Sequence, residues 1–169
     1  MPSIRLPRGK LGLLFLLALA LLTWLYRELP RGFLSTQSDG PWRQCVRVVD
    51  GDTLVLDGDE RIRLIGVDTP ESVDPRRPVE QFGKEAAAFT RRLAEGRRVR
   101  LEFDQERRDH YGRTLAYVYL EDGTFLNAVI IRQGYGHAYT RFPFRYSDDF
   151  RAYEREARTQ RRGLWAATD

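Results

Sequence analysis

Between Gln44 and Val67 short apolar runs alternate with turn residues, at a spacing that suits an antiparallel meander and little else. Gln44–Val49, Thr53–Leu56 and Arg61–Val67 carry the strand formers. Asp50-Gly51 and Asp57-Gly58-Asp59 supply the tight turns between them. Hairpin turns this short exclude a parallel sheet here, because parallel strands need long crossovers. Downstream, Glu80–Glu95 repeats apolar residues at helical period through Phe82, Ala86, Phe89 and Leu93, and Gly96 caps it. Arg97–Phe103 and Gly112–Leu120 read as two more strands. Leu126–Gln133 is a short helix ended by Gly134. Ser147–Gln160 is a last helix with Phe150, Tyr153 and Ala157 as its buried stripe and Ser147 as its cap. Trp165 is expected to fold back on the core. Three strands, a helix, then two strands predict a five-stranded Greek-key barrel of the oligonucleotide-binding type, an α+β fold with three helices. A sandwich would want more strands.

The N-terminus belongs to something else. Leu11–Tyr26 is uncharged, rich in Leu and Ala, and follows Arg5, Arg8 and Lys10. That pattern predicts an apolar helix serving as an export signal or an uncleaved membrane anchor, with Trp24 and Tyr26 at the interface. Residues 1–29 are read as basic end and anchor, 30–41 as a Pro-, Gly- and Ser-containing linker, and 42–169 as the folded domain. The domain is expected outside the cytoplasm, periplasmic or extracellular, or secreted if the segment is cleaved. Of the formal net charge of +4, three charges precede the apolar run, which leaves +1 for the rest. A polyanion site must therefore come from local clustering. The single cysteine, Cys45, permits no intramolecular disulfide and is expected in the core.

Two stretches carry chemistry. Asp50-Gly51-Asp52-Thr53 is by itself an ordinary turn sequence. It gains meaning from Asp68-Thr69-Pro70-Glu71 at the exit of the third strand. Register counted across the Asp57–Asp59 turn sets Asp52 opposite about position 64, so Asp52 and Asp68 converge at that end. Pro70 has no N–H and biases Thr69 toward extended backbone, which leaves the Thr69 carbonyl without a ladder partner. Two carboxylates and a carbonyl suit calcium, while two histidines and one cysteine offer no zinc cluster. The second stretch is Asp109-His110-Tyr111-Gly112-Arg113. Arg113 and Arg63, on neighbouring barrel strands, form a pair of guanidinium forks suited to phosphate.

Asp50–Thr53, Arg63–Glu71 and Tyr111–Tyr117, in that order, resemble the thermonuclease, or staphylococcal nuclease-like, family. Phe89-Thr90, Arg132-Gln133-Gly134 and Trp165 fit the same pattern, and the likeness covers about residues 43 to 165. It implies a calcium-dependent phosphodiesterase cutting DNA and RNA to leave 3′-phosphates. By that resemblance Asp52, Asp68 and the Thr69 carbonyl ligate calcium, and Glu71 orients or deprotonates the attacking water. Arg63 and Arg113 bind the phosphate, Tyr111 contacts it, and Asp50 supports the metal site from behind. A tyrosine near the base is matched by Tyr139 at a spacing one residue shorter, with Tyr135 as the alternative. His110 stands where the family prefers Lys or Arg, and Tyr139–Ser147 departs from its pattern. The implied partners are nucleic acid as substrate and a membrane through residues 11–26, with no obligate protein partner. The competing expectation is a catalytically inactive, membrane-tethered barrel that binds nucleic acid or protein. Such a module would not need all of Asp52, Asp68, Glu71, Arg63 and Arg113.

Overall fold

The computed structural model describes residues 40–71 and 82–166. The chain divides after Gln37, and all described residues belong to the unit Ser38–Asp169. The apolar segment 11–26, most of the linker and the Ser72–Pro78 loop lie outside the described residues. Among those described, no helix is long and apolar enough to cross a membrane.

Strands β1 (Arg43–Asp50), β2 (Thr53–Leu56) and β3 (Arg61–Leu64) form the expected meander. Helix α1 (Gly83–Ala94) follows, then β5 (Arg98–Glu102) and β6 (Thr114–Leu120). The five strands close into a barrel in the order β1-β2-β3-β6-β5. Closure rests on a parallel pairing of β3 with β6 and a short antiparallel pairing of β1 with β5. Neither pairing is local in sequence, so neither shows in the turn pattern. Helices α2 (Leu126–Arg132) and α3 (Ser147–Thr159) complete the fold, followed by one 3₁₀ turn at Gly163–Trp165. Helix α1 packs on β1, α2 on β6, and α3 on α2.

Inward-facing residues fill the barrel. Leu54, Leu56, Ile62, Leu64, Val99 and Val118 are fully enclosed, with Leu126, Ile130, Ile131 and Phe150 from the helices. Side chains of this size each contribute about 1.5–3 kcal/mol when removed from water. Cys45 lies among them, and burial pushes its thiol up to about 11. It is an inert core residue. Tyr117, Tyr119 and Ile65 form a second apolar cluster with Phe125, Phe144 and Tyr146. The Tyr117 hydroxyl donates to Asp104 at 2.5 Å.

The structure corrects several boundaries. The third strand was expected to run to Val67, but it stops at Leu64. Gly66 turns the chain with φ of +72°, and Val67–Asp68 becomes β4 of a separate ladder with β7 (His137–Ala138). A Cβ at Gly66 would also meet the Phe144 ring at 2.6 Å. Phe82 lies outside α1 in left-handed backbone, so the buried face of that helix is Gly83, Ala86, Ala87, Thr90 and Ala94. Phe89 and Leu93 flank that face half-buried. Ser147 is the first residue of α3 and makes no capping bond. Trp165 packs on the edge of His137 and under Arg158, 3.9 Å from ring centre to guanidinium, at the α3 end and outside the barrel core.

Candidate active site

The β2–β3 hairpin pairs Thr53 with Arg63 and Leu54 with Ile62, and the Leu64 N–H donates to the Asp52 carbonyl at 3.0 Å. Asp52 therefore sits beside the point where β3 turns toward β4, as the register across the hairpin requires. Its side chain is buried and organises the site. Oδ2 accepts the Thr69 N–H at 3.0 Å and the Thr69 hydroxyl at 3.1 Å, and Oδ1 accepts the Thr53 hydroxyl at 3.0 Å. The Arg63 Nη2 lies 3.2 Å from Asp52 Oδ2 and 3.4 Å from Asp68 Oδ1. Both carboxylates thus converge on one cationic point. The other terminal nitrogen of Arg63 donates to the carbonyls of Val67 at 2.5 Å and Leu64 at 3.2 Å. Arg63 thereby staples the turn that aims Asp68.

Behind this group stands Gly51. A Cβ there would meet the Thr69 side chain at 2.7 Å, and its carbonyl accepts the Thr90 hydroxyl of α1 at 2.7 Å. The Asp50 carboxylate, buried, accepts the Gly51 N–H at 2.8 Å. Helix α1, the β1–β2 turn and Thr69 are thus locked together. Gly51→Ala should push Thr69 off Asp52 and cost about 1–3 kcal/mol by overpacking. Urea denaturation reads this directly. A variant as stable as the parent would show that Thr69 can give way freely.

The donor set fits a hard cation. Two carboxylates converge, and among the described residues no N–H donates to the Thr69 carbonyl. No group of three or more His, Cys, Asp or Glu able to hold a metal occurs among the described residues. Oxygen donors of this kind are what calcium takes, with water or substrate oxygen completing its shell, and they do not suit zinc.

Arg113 immediately precedes β6. Thr114 lies beside Ile62 and Leu115 beside Arg63, so strand alternation sets Arg113 on the barrel face that carries Arg63 and Leu115. Its orientation is fixed by Asp109, which the sequence pattern left without a role. Asp109 Oδ2 accepts Arg113 Nε at 2.7 Å, and Oδ1 accepts the backbone N–H groups of Tyr111 and Arg113 at 3.0 and 2.9 Å. Burial pushes the Asp109 carboxyl up, but these bonds and the Arg113 charge outweigh it and hold it below the usual carboxylate range. The signal was present as an acid four residues before an arginine across a glycine turn. Tyr111 is 73% exposed beside this arm, with the Arg113 guanidinium 5.3 Å from its ring centre.

Glu71 follows Pro70, and its carbonyl abuts Gly83 at the start of α1. Tyr139 continues the β4–β7 ladder, its N–H donating to the Gly66 carbonyl at 2.9 Å. Asp68 pairs with His137, so alternation sets Tyr139 on the same side of the ladder as Asp68. Tyr135, the alternative, stacks on Phe89 at 3.9 Å and on Phe82 at 5.4 Å, where packing occupies its ring. Asp52, Thr69, Asp68 and Arg63 are therefore joined by direct contacts, and Arg113 joins them by register.

Comparison with known proteins agrees with this architecture. A family model described as staphylococcal nuclease homologue matches residues 61–167. A thermonuclease of Staphylococcus hyicus is 40% identical over 125 residues, which cover 72% of this chain and 73% of the relative. A thermonuclease of Staphylococcus intermedius is 53% identical over 95 residues, 54% of this chain and 56% of the relative. Endonuclease YncB of Bacillus subtilis is 36% identical over 126 residues, 71% of this chain and 59% of the relative. The chain thus spans little more than half the length of the latter two. With a closed five-stranded barrel, three helices and this match over most of its folded part, the chain belongs to the staphylococcal nuclease homologue family.

Proposed function

We propose that this domain is a calcium-dependent nuclease that hydrolyses phosphodiester bonds of DNA or RNA and leaves 3′-phosphates. The nuclease class follows from the family; metal, product and residue roles are the proposal. The observation that carries it is the convergence of the Asp52 and Asp68 carboxylates on the Arg63 guanidinium, with Thr69 bonded to Asp52 through its N–H and hydroxyl.

Asp52, Asp68 and the Thr69 carbonyl would hold calcium, with Asp50 steadying the Gly51 turn behind them. When bound, calcium supplies positive charge to a phosphate oxygen and lowers the cost of charge building there. Glu71 takes a proton from the attacking water. Arg113, its Nε held by Asp109, offers both terminal nitrogens to the phosphate's non-bridging oxygens. Arg63 contributes positive charge from its stapled position. Tyr111 contacts the phosphate, and Tyr139 contacts a base. Water adds to phosphorus in line, the bond to the 5′-oxygen breaks, and that oxygen leaves with a proton from solvent.

The basic residues and apolar run at the N-terminus support an anchored domain facing away from the cytoplasm, or a secreted one. The test is release of acid-soluble nucleotides by the full chain as calcium is titrated. Saturable activation by calcium, abolished by chelator, is expected. Glu71→Gln should lower turnover by about 10²–10⁴-fold at unchanged thermal stability. Nucleic acid bound but never cut, at any calcium concentration, would identify the inactive binding module instead.

A further inference from the structure

Tyr139–Tyr146 reads Tyr-Thr-Arg-Phe-Pro-Phe-Arg-Tyr, aromatic and basic residues interleaved. The structure ties this arch down along most of its length. The Tyr139 N–H is on the Gly66 carbonyl, and the Thr140 hydroxyl accepts Arg151 Nε at 3.3 Å. Phe144 packs on Gly66 and on Phe150, with ring centres 5.4 Å apart. The Arg145 N–H donates to Asp104 at 2.8 Å, and its guanidinium pairs with Glu102. Arg141, Phe142 and Pro143 form a run of three exposed residues at its crest, while the exposed Tyr139 and Arg145 are held by the bonds above.

Phe142 is 58% exposed, and its ring centre lies 6.1 Å from that of Tyr139, itself 37% exposed. A single exposed phenylalanine is ordinary. This one extends an aromatic surface that begins on the Asp68 side of the β4–β7 ladder, and it is held on a tethered backbone. Pro143 further restricts Phe142 to extended geometry. A ring presented this way loses little freedom on binding. Arg145 and Arg151 are committed to Glu102 and to Thr140 and Asp148. Arg141 has no carboxylate partner among the described residues and is the cation available beside the ring.

We infer that Phe142 and Arg141 form a nucleotide subsite beyond Tyr139, in which Phe142 stacks on an unpaired base and Arg141 meets the adjoining phosphate. Stacking on an aromatic platform tolerates any base but requires that the base be unpaired. The inference rests on the nuclease reading for its substrate, yet its test needs no cleavage.

The full chain is titrated, in chelator, into fluorescein-labelled twelve-nucleotide oligothymidylate and into an abasic strand of equal length, with anisotropy as readout. Phe142→Ala should weaken oligothymidylate binding about five- to thirtyfold and leave abasic binding within twofold. Phe142→Trp should restore the affinity. Arg141→Ala should weaken binding to both strands and flatten the salt dependence. Unchanged oligothymidylate affinity in Phe142→Ala, or an equal loss on the abasic strand, overturns the subsite. So does a Phe142→Ala defect confined to binding of anionic phospholipid vesicles, which would make the crest a membrane contact. A wild-type chain that cleaves with calcium but shows no Phe142 effect refutes the subsite and leaves the nuclease standing. The reverse pattern refutes cleavage and leaves the subsite.

Discussion

Asp52→Ala should reduce nuclease activity by about 10³-fold or more and destabilise the domain by about 2–4 kcal/mol. Few carboxylates in the domain do both jobs. Asp52 accepts the buried Thr69 N–H, the Thr69 hydroxyl and the Thr53 hydroxyl, and it neutralises Arg63, whose side chain is itself only 15% exposed. Alanine leaves those donors without acceptors in a site water reaches poorly. It also removes one of two carboxylates assigned to calcium. Asp52→Asn separates the two roles. The amide retains an oxygen for Thr69 but not the charge, so most of the stability should return and the activity should not. Urea unfolding and initial rates in saturating calcium give both quantities. If Asp52→Asn restores the rate as well, the carboxylate's charge is irrelevant and the metal assignment fails.

The largest effect on stability alone is expected at Asn127. This residue is fully buried on α2 and holds three backbone groups with one side chain. Its Nδ2 donates to the Ile65 carbonyl at 2.9 Å and the Ala116 carbonyl at 3.3 Å, and its Oδ1 accepts the Val118 N–H at 2.9 Å. It thereby ties β6 to the turn that ends β3. Asn127→Ala strands buried backbone groups on both elements and opens a cavity, so a loss of about 2–4 kcal/mol is expected. The urea midpoint should fall with an unchanged slope. Asn127→Asp keeps the acceptor but buries a charge, and should be no better. A loss below about 1 kcal/mol in Asn127→Ala would mean that water or a shifted backbone replaces the amide.

Sequence and structure meet most closely in the β2–β3 hairpin. Turn residues at Asp57–Asp59 fixed the register, and the register alone brought Asp52 to the end where Asp68 emerges. The break after Leu64 was harder to see. Ile65 and Val67 are strand formers, so local propensity continues the strand that Gly66 ends. Phe144 presses on that glycine from a loop far along the chain. Arg63 is a similar case. Its position near Asp52 and Asp68 was legible, but its four acceptors within the protein were not, because two of them are carbonyls of a turn that only the break creates.

The meander, the Phe150 and Ala157 stripe of the last helix, the buried cysteine and the approach of Asp52 to Asp68 were all decided by local pattern. Turn geometry and hydrophobic period act over a few residues, and those residues are adjacent in the chain. The parallel register of β3 on β6, the Asp109 brace on Arg113, the Thr90 clamp on Gly51 and the exposed crest at Phe142 came only with the tertiary structure. Apart from the Asp109 brace, which needs its turn folded around a glycine, each joins residues far apart in sequence. Contacts of that kind are settled by which surfaces remain to be buried once the local elements exist, and no window of sequence contains both partners.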